Sequence, residues 1–190
     1  KEQSMRIIAG RYRSRRLKSP LPAGVRPTSD RLRETLFNIL GDRVIESVFL
    51  DAYAGMGGVG LEAISRGASK VYFVERSVKA CEAISSNLDL LEIGRSCRIF
   101  RMDSDYAFKE FEENNERFDI AFLDPPYDRK DLYKNDLESL GSRMLLAPEG
   151  LVVIEHSRKV DLPEAVSGVR KIRNLKQGDS ALSFYKSEVE

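Results

Sequence analysis

An α/β fold with a mostly parallel sheet and helices on both faces is predicted by three observations. Short β-branched and aromatic runs alternate with helix-periodic stretches from Val48 onward, as in chains of βαβ units. Two of these runs, residues 71–74 and 120–123, are continuously apolar, as strands buried on both faces are. A glycine-rich turn joins the first strand to its helix. The predicted sheet has seven strands, preceded by a small basic hairpin and helix.

In order, residues 5–17 suggest a two-stranded hairpin broken at Gly10, and Pro20, Pro22, Gly24 and Pro27 an irregular connector. Lys1 to Ser4, ahead of Met5, are set apart from the fold. Thr28 or Ser29 can cap a helix with Leu32, Leu36, Ile39 and Leu40 as its stripe and Gly41 as its stop. Strands are expected at 48–50, 71–74, 99–102, 120–123, 151–154, 169–175 and 181–185, the last two as an antiparallel pair. Helices are expected at 59–66, after Ser77 (Val78, Cys81, Ile84, Leu88, Leu91), at 106–111 and through Leu132, Leu137 and Leu140. Residues 1–41 are assigned to the basic extension, packed on a catalytic domain of residues 42–190.

The 190 residues, 42% hydrophobic and 32% charged, are those of a globular protein with one core. No apolar run is long enough to cross a membrane and no signal-peptide pattern is read, so a cytoplasmic protein is expected. Cys81 and Cys97 lack metal-ligand spacing and are expected to be reduced core thiols; with a single histidine, His156, no metal site is expected. The net charge of +1 conceals an asymmetry: residues 1–33 carry +8, leaving −7 on the remainder. Arginine dominates this arm and Tyr12 is interleaved, which favours a polyanion such as nucleic acid over a merely solvated face.

Two constellations carry chemistry. Asp51-Ala52-Tyr53-Ala54-Gly55-Met56-Gly57-Gly58-Val59-Gly60 places Gly55, Gly57 and Gly60 in the dinucleotide-binding spacing, with Glu75 ending the next strand. A nicotinamide-dependent oxidoreductase must therefore be weighed. Asp51 beside the turn would repel a pyrophosphate but attract a cationic cofactor, and no hydride-transfer site follows. Farther on, an apolar strand ends in Asp124-Pro125-Pro126-Tyr127. The prolines stop the strand and stiffen a corner, which presents a carboxylate, backbone carbonyls and a phenol. Such a cradle of acceptors suits a planar amino group.

S-adenosylmethionine fits both constellations. Gly55 and Gly57, with Tyr53 and Ala54, let the backbone approach its amino-acid end, which Asp51 would hold directly or through water. Glu75 would accept from the ribose hydroxyls, Arg76 would lie beside the adenine, and Asp103, with Ser104 nearby, would accept from the adenine amine.

These motifs resemble class I S-adenosylmethionine-dependent methyltransferases, and Asp124 to Tyr127 resembles the (Asp/Asn)-Pro-Pro-(Tyr/Phe) motif of amino-methyltransferases. More narrowly, Arg6-Ile7-Ile8-Ala9-Gly10-Arg11-Tyr12, Arg26-Pro27-Thr28-Ser29-Asp30-Arg31 and Gly60-Leu61-Glu62-Ala63-Ile64-Ser65-Arg66-Gly67-Ala68 are similar to the RsmD family. Its members are bacterial enzymes that methylate the exocyclic N2 of one guanine in 16S ribosomal RNA. Met56 and Tyr53 stand where that family usually has Ser and Phe; the glycines are kept.

The resemblance implies a Rossmann-like class I methyltransferase fold, S-adenosyl-L-methionine as cofactor and ribosomal RNA as partner, within an assembling small subunit, for a monomeric protein. It implies that Asp124 and the Pro125 carbonyl accept the amine's two N–H bonds while Tyr127 stacks on the base. Arg11, Arg13, Arg15, Arg16 and Arg26 would position RNA; Thr28, Asp30 and Arg31 could cap the first helix or approach the base. Methylation of adenine N6 or of a protein glutamine stays open, as the same corner serves both, and a non-catalytic RNA-binding module is a third possibility.

Overall fold

The computed structural model describes residues 5–18 and 28–188. The connector prolines, Gly24 and Arg26 lie outside them. The chain divides into two compact units, Lys1–Arg101 and Met102–Glu190; residues 5–41 fall within the first.

In the first unit, helix α1 (Asp30–Leu40) starts at Ser29, whose hydroxyl accepts from Leu32 N, and stops at Gly41 with φ 54°. Ser29, not Thr28, is the cap. The buried face is Leu32, Arg33, Leu36, Phe37 and Leu40, so Ile39 lies at its margin. A single 3-10 turn (Gly41–Val44) leads to β1 (Val48–Ala52). Helix α2 (Gly58–Ser65), β2 (Lys70–Val74), α3 (Val78–Leu90) and β3 (Cys97–Phe100) follow. Both pairings in the order β3-β2-β1 are parallel. Strand β3 lies two residues earlier than expected because its β2 partners run out at Val74↔Phe100. The Ser77 hydroxyl then caps α3 at Ala80 N. Val71, Tyr72, Phe73 and Val74 are all buried, as a strand covered on both faces must be.

The second unit contains α4 (Ser104–Glu113), β4 (Phe118–Leu123), α5 (Lys130–Ser142), β5 (Leu146–Ser157), β6 (Ala165–Val166), β7 (Val169–Gln177) and β8 (Ser180–Ser187), with strand order β4-β5-β8-β7-β6. Only β4–β5 is parallel; β8, β7 and β6 pair antiparallel. The seven expected strands form, and β6, too short for any periodicity, is added to them. The buried stripe of α5 is Tyr133, Asp136, Leu137 and Leu140, with Leu132 beside it.

His156 sits wholly buried on β5. Its Nδ1 lies 2.9 Å from the Ser157 carbonyl, and its Nε2 lies 2.8 Å from Ser183 Oγ on β8. A carbonyl only accepts, so Nδ1 carries the proton and Nε2 accepts. Burial lowers its pKa, which keeps the ring neutral. It is a tie between strands. Cys81 is buried and Cys97 half-buried, both free thiols.

Candidate active site

At the end of β1 the chain makes a strained turn: Tyr53, Gly55 and Gly57 have φ of 64°, 53° and 77°. The left-handed region costs glycine little but a tyrosine about 1 kcal/mol or more, so Tyr53 is held there by its surroundings. Ala54 N–H donates to Val74 O at 2.9 Å and Gly57 N–H to Ala54 O at 2.7 Å. A Cβ on Gly55 would meet nothing within 4 Å, so the loop backbone faces open space there. Gly60 is a glycine for another reason. A Cβ there would lie 2.3 Å from Phe73 Cε1, so α2 can press on β2 only without a side chain.

Two carboxylates organise this loop. Asp51 is 2% exposed, and its Oδ2 accepts from Gly60 N at 2.7 Å. It thereby serves the orphan amides of α2, since Gly57 offers no side-chain cap. Its charge thus acts from beneath the loop. Burial, with the Glu75 carboxylate adding to it, pushes Asp51 up to about 7 against the opposing pull of the Gly60 amide. Glu75 accepts from Gly55 N at 2.9 Å through one oxygen and from Ser77 N at 2.7 Å through the other. Each oxygen keeps a second lone pair for a ligand hydroxyl. Arg76 follows, exposed. In this unit Asp51, residues 53–57, Glu75 and Arg76 converge where β1 and β2 end.

In the second unit Asp103 is exposed at the start of α4, and the buried Ser104 hydroxyl donates to Asp136 Oδ1 at 3.3 Å. Ser104 is therefore engaged toward α5.

The corner after β4 places Asp124 half-buried, Pro125 buried and Pro126 exposed. The Pro126 carbonyl closes the turn by accepting from Arg129 N at 2.9 Å. Tyr127 is 48% exposed, yet its hydroxyl is fixed. It donates to Glu155 Oε1 at 3.2 Å and lies 3.4 Å from Ser180 Oγ, which also donates to that oxygen. Burial and the nearby carboxylates push the phenol up to about 12, so it stays protonated. The result is an anchored ring with a free face. Sequence reasoning missed Glu155 and Ser180, because their distances from Tyr127 along the chain leave no local signal. Tyr133, also missed, is buried near Asp124, and its hydroxyl has no hydrogen-bond partner among the described residues.

The basic arm is a short hairpin held by one bridge, Arg6↔Arg16, with Ser14 N–H donating to Ile7 O at 2.9 Å. Arg11, Arg13, Arg15 and Arg16 are exposed on it. Its underside is fastened to α2 and α3. Ile8 N and Ala9 N donate to the two oxygens of Glu62 at 2.8 and 2.9 Å. Arg11 N donates to Ser65 O at 2.7 Å and Tyr12 N to Ser65 Oγ at 3.0 Å. Asn87 clasps the backbone of Lys18. Arg33, 1% exposed, donates to Arg6 O at 2.6 Å and to Asp30 at 3.0 Å. Burial lowers its pKa. A carboxylate inside the apolar stripe Val59–Ala63 was the one available hint of Glu62. Thr28 is half-buried and Arg31 exposed. No cluster of potential metal ligands occurs among the described residues, and no helix there is long and apolar enough to cross a membrane.

Comparison with known proteins gives concordant findings. The family described as conserved hypothetical protein 95 matches residues 5–186. "Putative rRNA methyltransferase YlbH" of Bacillus subtilis (strain 168) is 36% identical over 182 residues, covering 96% of this chain and 98% of that protein. Ribosomal RNA small subunit methyltransferase D of Escherichia coli (strain K12) is 32% identical over 186 residues, covering 98% and 91%. Among solved structures, "Putative methyltransferase yhhF" from Escherichia coli superposes with a TM-score of 0.84 at 29% identity, covering 98% of this chain and 99% of that one.

Proposed function

The chain belongs to the RsmD family, the family of conserved hypothetical protein 95, and from that premise we propose that it methylates the exocyclic N2 of a guanine in small-subunit ribosomal RNA. The methyl donor is S-adenosyl-L-methionine. The loop after β1 fits that donor: its backbone opens onto free space at Gly55, and two carboxylates lie beneath and beside it. When bound, the donor supplies an activated methyl carbon on a sulfonium. Tyr53, Ala54, Gly55 and Gly57 would receive its amino-acid end. Asp51 would favour its positive charge from below, Glu75 would accept from its ribose hydroxyls, and Arg76, Asp103 and Ser104 would border its adenine.

The corner at Asp124–Tyr127 carries the reading. An exocyclic guanine amine is a poor nucleophile, its lone pair being delocalised into the ring. The Asp124 carboxylate and the Pro125 carbonyl would accept its two N–H bonds, drawing the nitrogen toward tetrahedral and aiming the lone pair at the methyl carbon. On transfer, with the new C–N bond replacing the donor's S–C bond, the nitrogen would become acidic and would release its proton to Asp124 or to water. The anchored Tyr127 ring would stack on the base, a contact worth about 1–3 kcal/mol. The base must be unpaired or flipped out. Arg11, Arg13, Arg15 and Arg16 on the hairpin, with Arg26, Thr28 and Arg31, would position the RNA. Residues 1–41 would form an RNA-positioning extension of a catalytic domain at 42–190, and the protein would act as a cytoplasmic monomer on an assembling small subunit.

The test is to incubate the protein with labelled donor and small-subunit RNA, free or in particles, and to identify the product nucleoside by mass spectrometry. N2-methylguanosine is expected; N6-methyladenosine or methylated protein glutamine would overturn the guanine assignment.

Donor binding should also be linked to protons. Asp51 titrates near 7, and a cation beside it favours the carboxylate. Binding therefore expels a proton near neutrality, and affinity rises by up to about tenfold per pH unit until the pH passes the Asp51 pKa. Calorimetry in buffers of different ionisation enthalpy reads this directly. Asp51→Asn should remove the linkage; unchanged proton release in that variant would exclude Asp51 as its source.

A further inference from the structure

A second concentration of positive charge lies in the second unit. Strand β7, Val169–Gln177, contains Arg170, Lys171, Arg173 and Lys176 and no carboxylate. Two of these are neutralised: Arg170 pairs with Glu188 at 2.6 Å and Lys171 with Glu164 at 2.8 Å. Arg173 and Lys176 are exposed and form no ion pair among the described residues. Uncompensated charge is thus concentrated toward the β7–β8 turn.

The register shows what that end adjoins. Directly paired residues of an antiparallel ladder share a face. Arg173↔Phe184, Leu175↔Leu182 and Gln177↔Ser180 continue into Leu182↔Glu155 and Ser180↔Ser157 on β5. Arg173 therefore stands on the same sheet face as Glu155 and Ser180, the two groups that fix the Tyr127 hydroxyl. At about 3.3 Å per residue it lies roughly 13 Å along the strand from Gln177. Lys176 is on the opposite face, next to the turn. Strand β6 covers β7 only at Val169 and Arg170, so beyond Lys171, whose amide bonds to Glu164 O, the ladder edge is open among the described residues.

Cations on an edge strand also discourage sheet-to-sheet aggregation. That role is served by charge anywhere along the edge, whereas here the neutralised cations lie away from the acceptor corner and the uncompensated ones toward it. A target base stacked on Tyr127 has phosphates on both sides in the chain. A single strand leaving the corner along the edge of β7 passes Lys176 beside the turn before it reaches Arg173.

We infer that the open edge of β7 is a second RNA-binding surface, on which Arg173 and Lys176 hold backbone phosphates flanking the target nucleotide. This rests on the proposed RNA methyltransferase function and adds the path of the substrate strand. Binding of a small-subunit RNA fragment carrying the methylated nucleotide is measured against salt concentration for wild type, R173E/K176E and R173Q/K176Q. The control is K109E/K134E, an equal charge change on α4 and α5. Loss of two phosphate contacts should flatten the log–log salt slope by about 1.4. R173E/K176E should bind at least tenfold more weakly at about 0.1 M salt, with donor binding unchanged. A native slope and affinity in R173Q/K176Q would overturn the inference, whatever the solubility of the glutamate variant, and so would an equal loss in the control. A wild-type protein that methylates no RNA would instead refute the underlying function, and that is visible before any variant is made.

Discussion

Asp124→Ala should lower kcat/KM for RNA methylation by at least about 10²-fold, the scale of losing one positioning contact at a reacting atom, while donor affinity stays near wild type. The asymmetry follows from where the residue sits. Asp124 follows β4 at the acceptor corner, whereas the groups proposed to hold the donor's amino-acid and ribose ends, Tyr53 to Gly57 and Glu75, lie in the loops after β1 and β2. On the proposed geometry, removing the carboxylate would take away one of two acceptors for the target amine and leave the nitrogen lone pair conjugated with the ring. Asp124→Asn separates charge from geometry. Its amide oxygen still accepts, so if aiming the lone pair matters more than negative charge, this variant keeps measurably more activity than alanine. Single-turnover kinetics with saturating donor, alongside equilibrium donor binding, check both points. Full activity in Asp124→Ala would remove the corner from the mechanism.

Glu62→Ala should cost about 3–5 kcal/mol of stability, as breaking a buried ionic network from one side does. At about 2–4 °C per kcal/mol for a chain of this size, that is a fall in Tm of roughly 6–20 °C. Glu62 is 0% exposed and accepts from Ile8 N, Ala9 N and Arg66 Nε, with Arg33 Nε at 3.9 Å. Its loss strands two amides, takes from Arg66 its carboxylate and leaves Arg33 with Asp30 as its one carboxylate among the described residues. Glu62→Gln keeps one acceptor and should fall between. Because the hairpin is fastened largely through Glu62 and Ser65, hydrogen exchange at Ile8 and Ala9 should rise well beyond the global change. RNA affinity should drop although no exposed arginine is altered. Scanning calorimetry and exchange mass spectrometry measure these effects. A Tm within about 2 °C of wild type would show that the arm is held by other means.

Much of this molecule was legible in one dimension. Short and continuously apolar runs located the strands, and Thr28 or Ser29, Gly41 and Ser77 punctuated the helices, because caps and stops are local chemistry written within a turn of the residues they serve. The glycine spacing marked the loop after β1, since Gly55 and Gly57 take left-handed dihedrals that cost glycine little and Gly60 leaves room for α2 against Phe73. What was missed shares one property: its partners are distant in sequence. Arg33 reads as an exposed helix residue and is buried; Glu62 reads as a helix carboxylate and serves backbone amides more than fifty positions away. Asp51, read as a group for the cofactor, also accepts from an α2 amide from beneath the loop.

The amino-acid sequence by itself determined the alternation of elements, the sharp corner at Asp124 to Tyr127 and the concentration of arginine in the arm. These depend on short-range sterics, periodicity and composition. Only the tertiary structure decided which polar side chains are spent inside the fold and which stay available. Burial makes an unsatisfied donor or acceptor cost about 1–3 kcal/mol, so Glu62, Asn87, His156 and Glu155 are each committed to partners that only the folded chain supplies. The same pairing across β5, β8 and β7 puts Arg173 on the sheet face that carries Glu155 and Ser180, a juxtaposition set by strand register, to which no local pattern in the chain is sensitive.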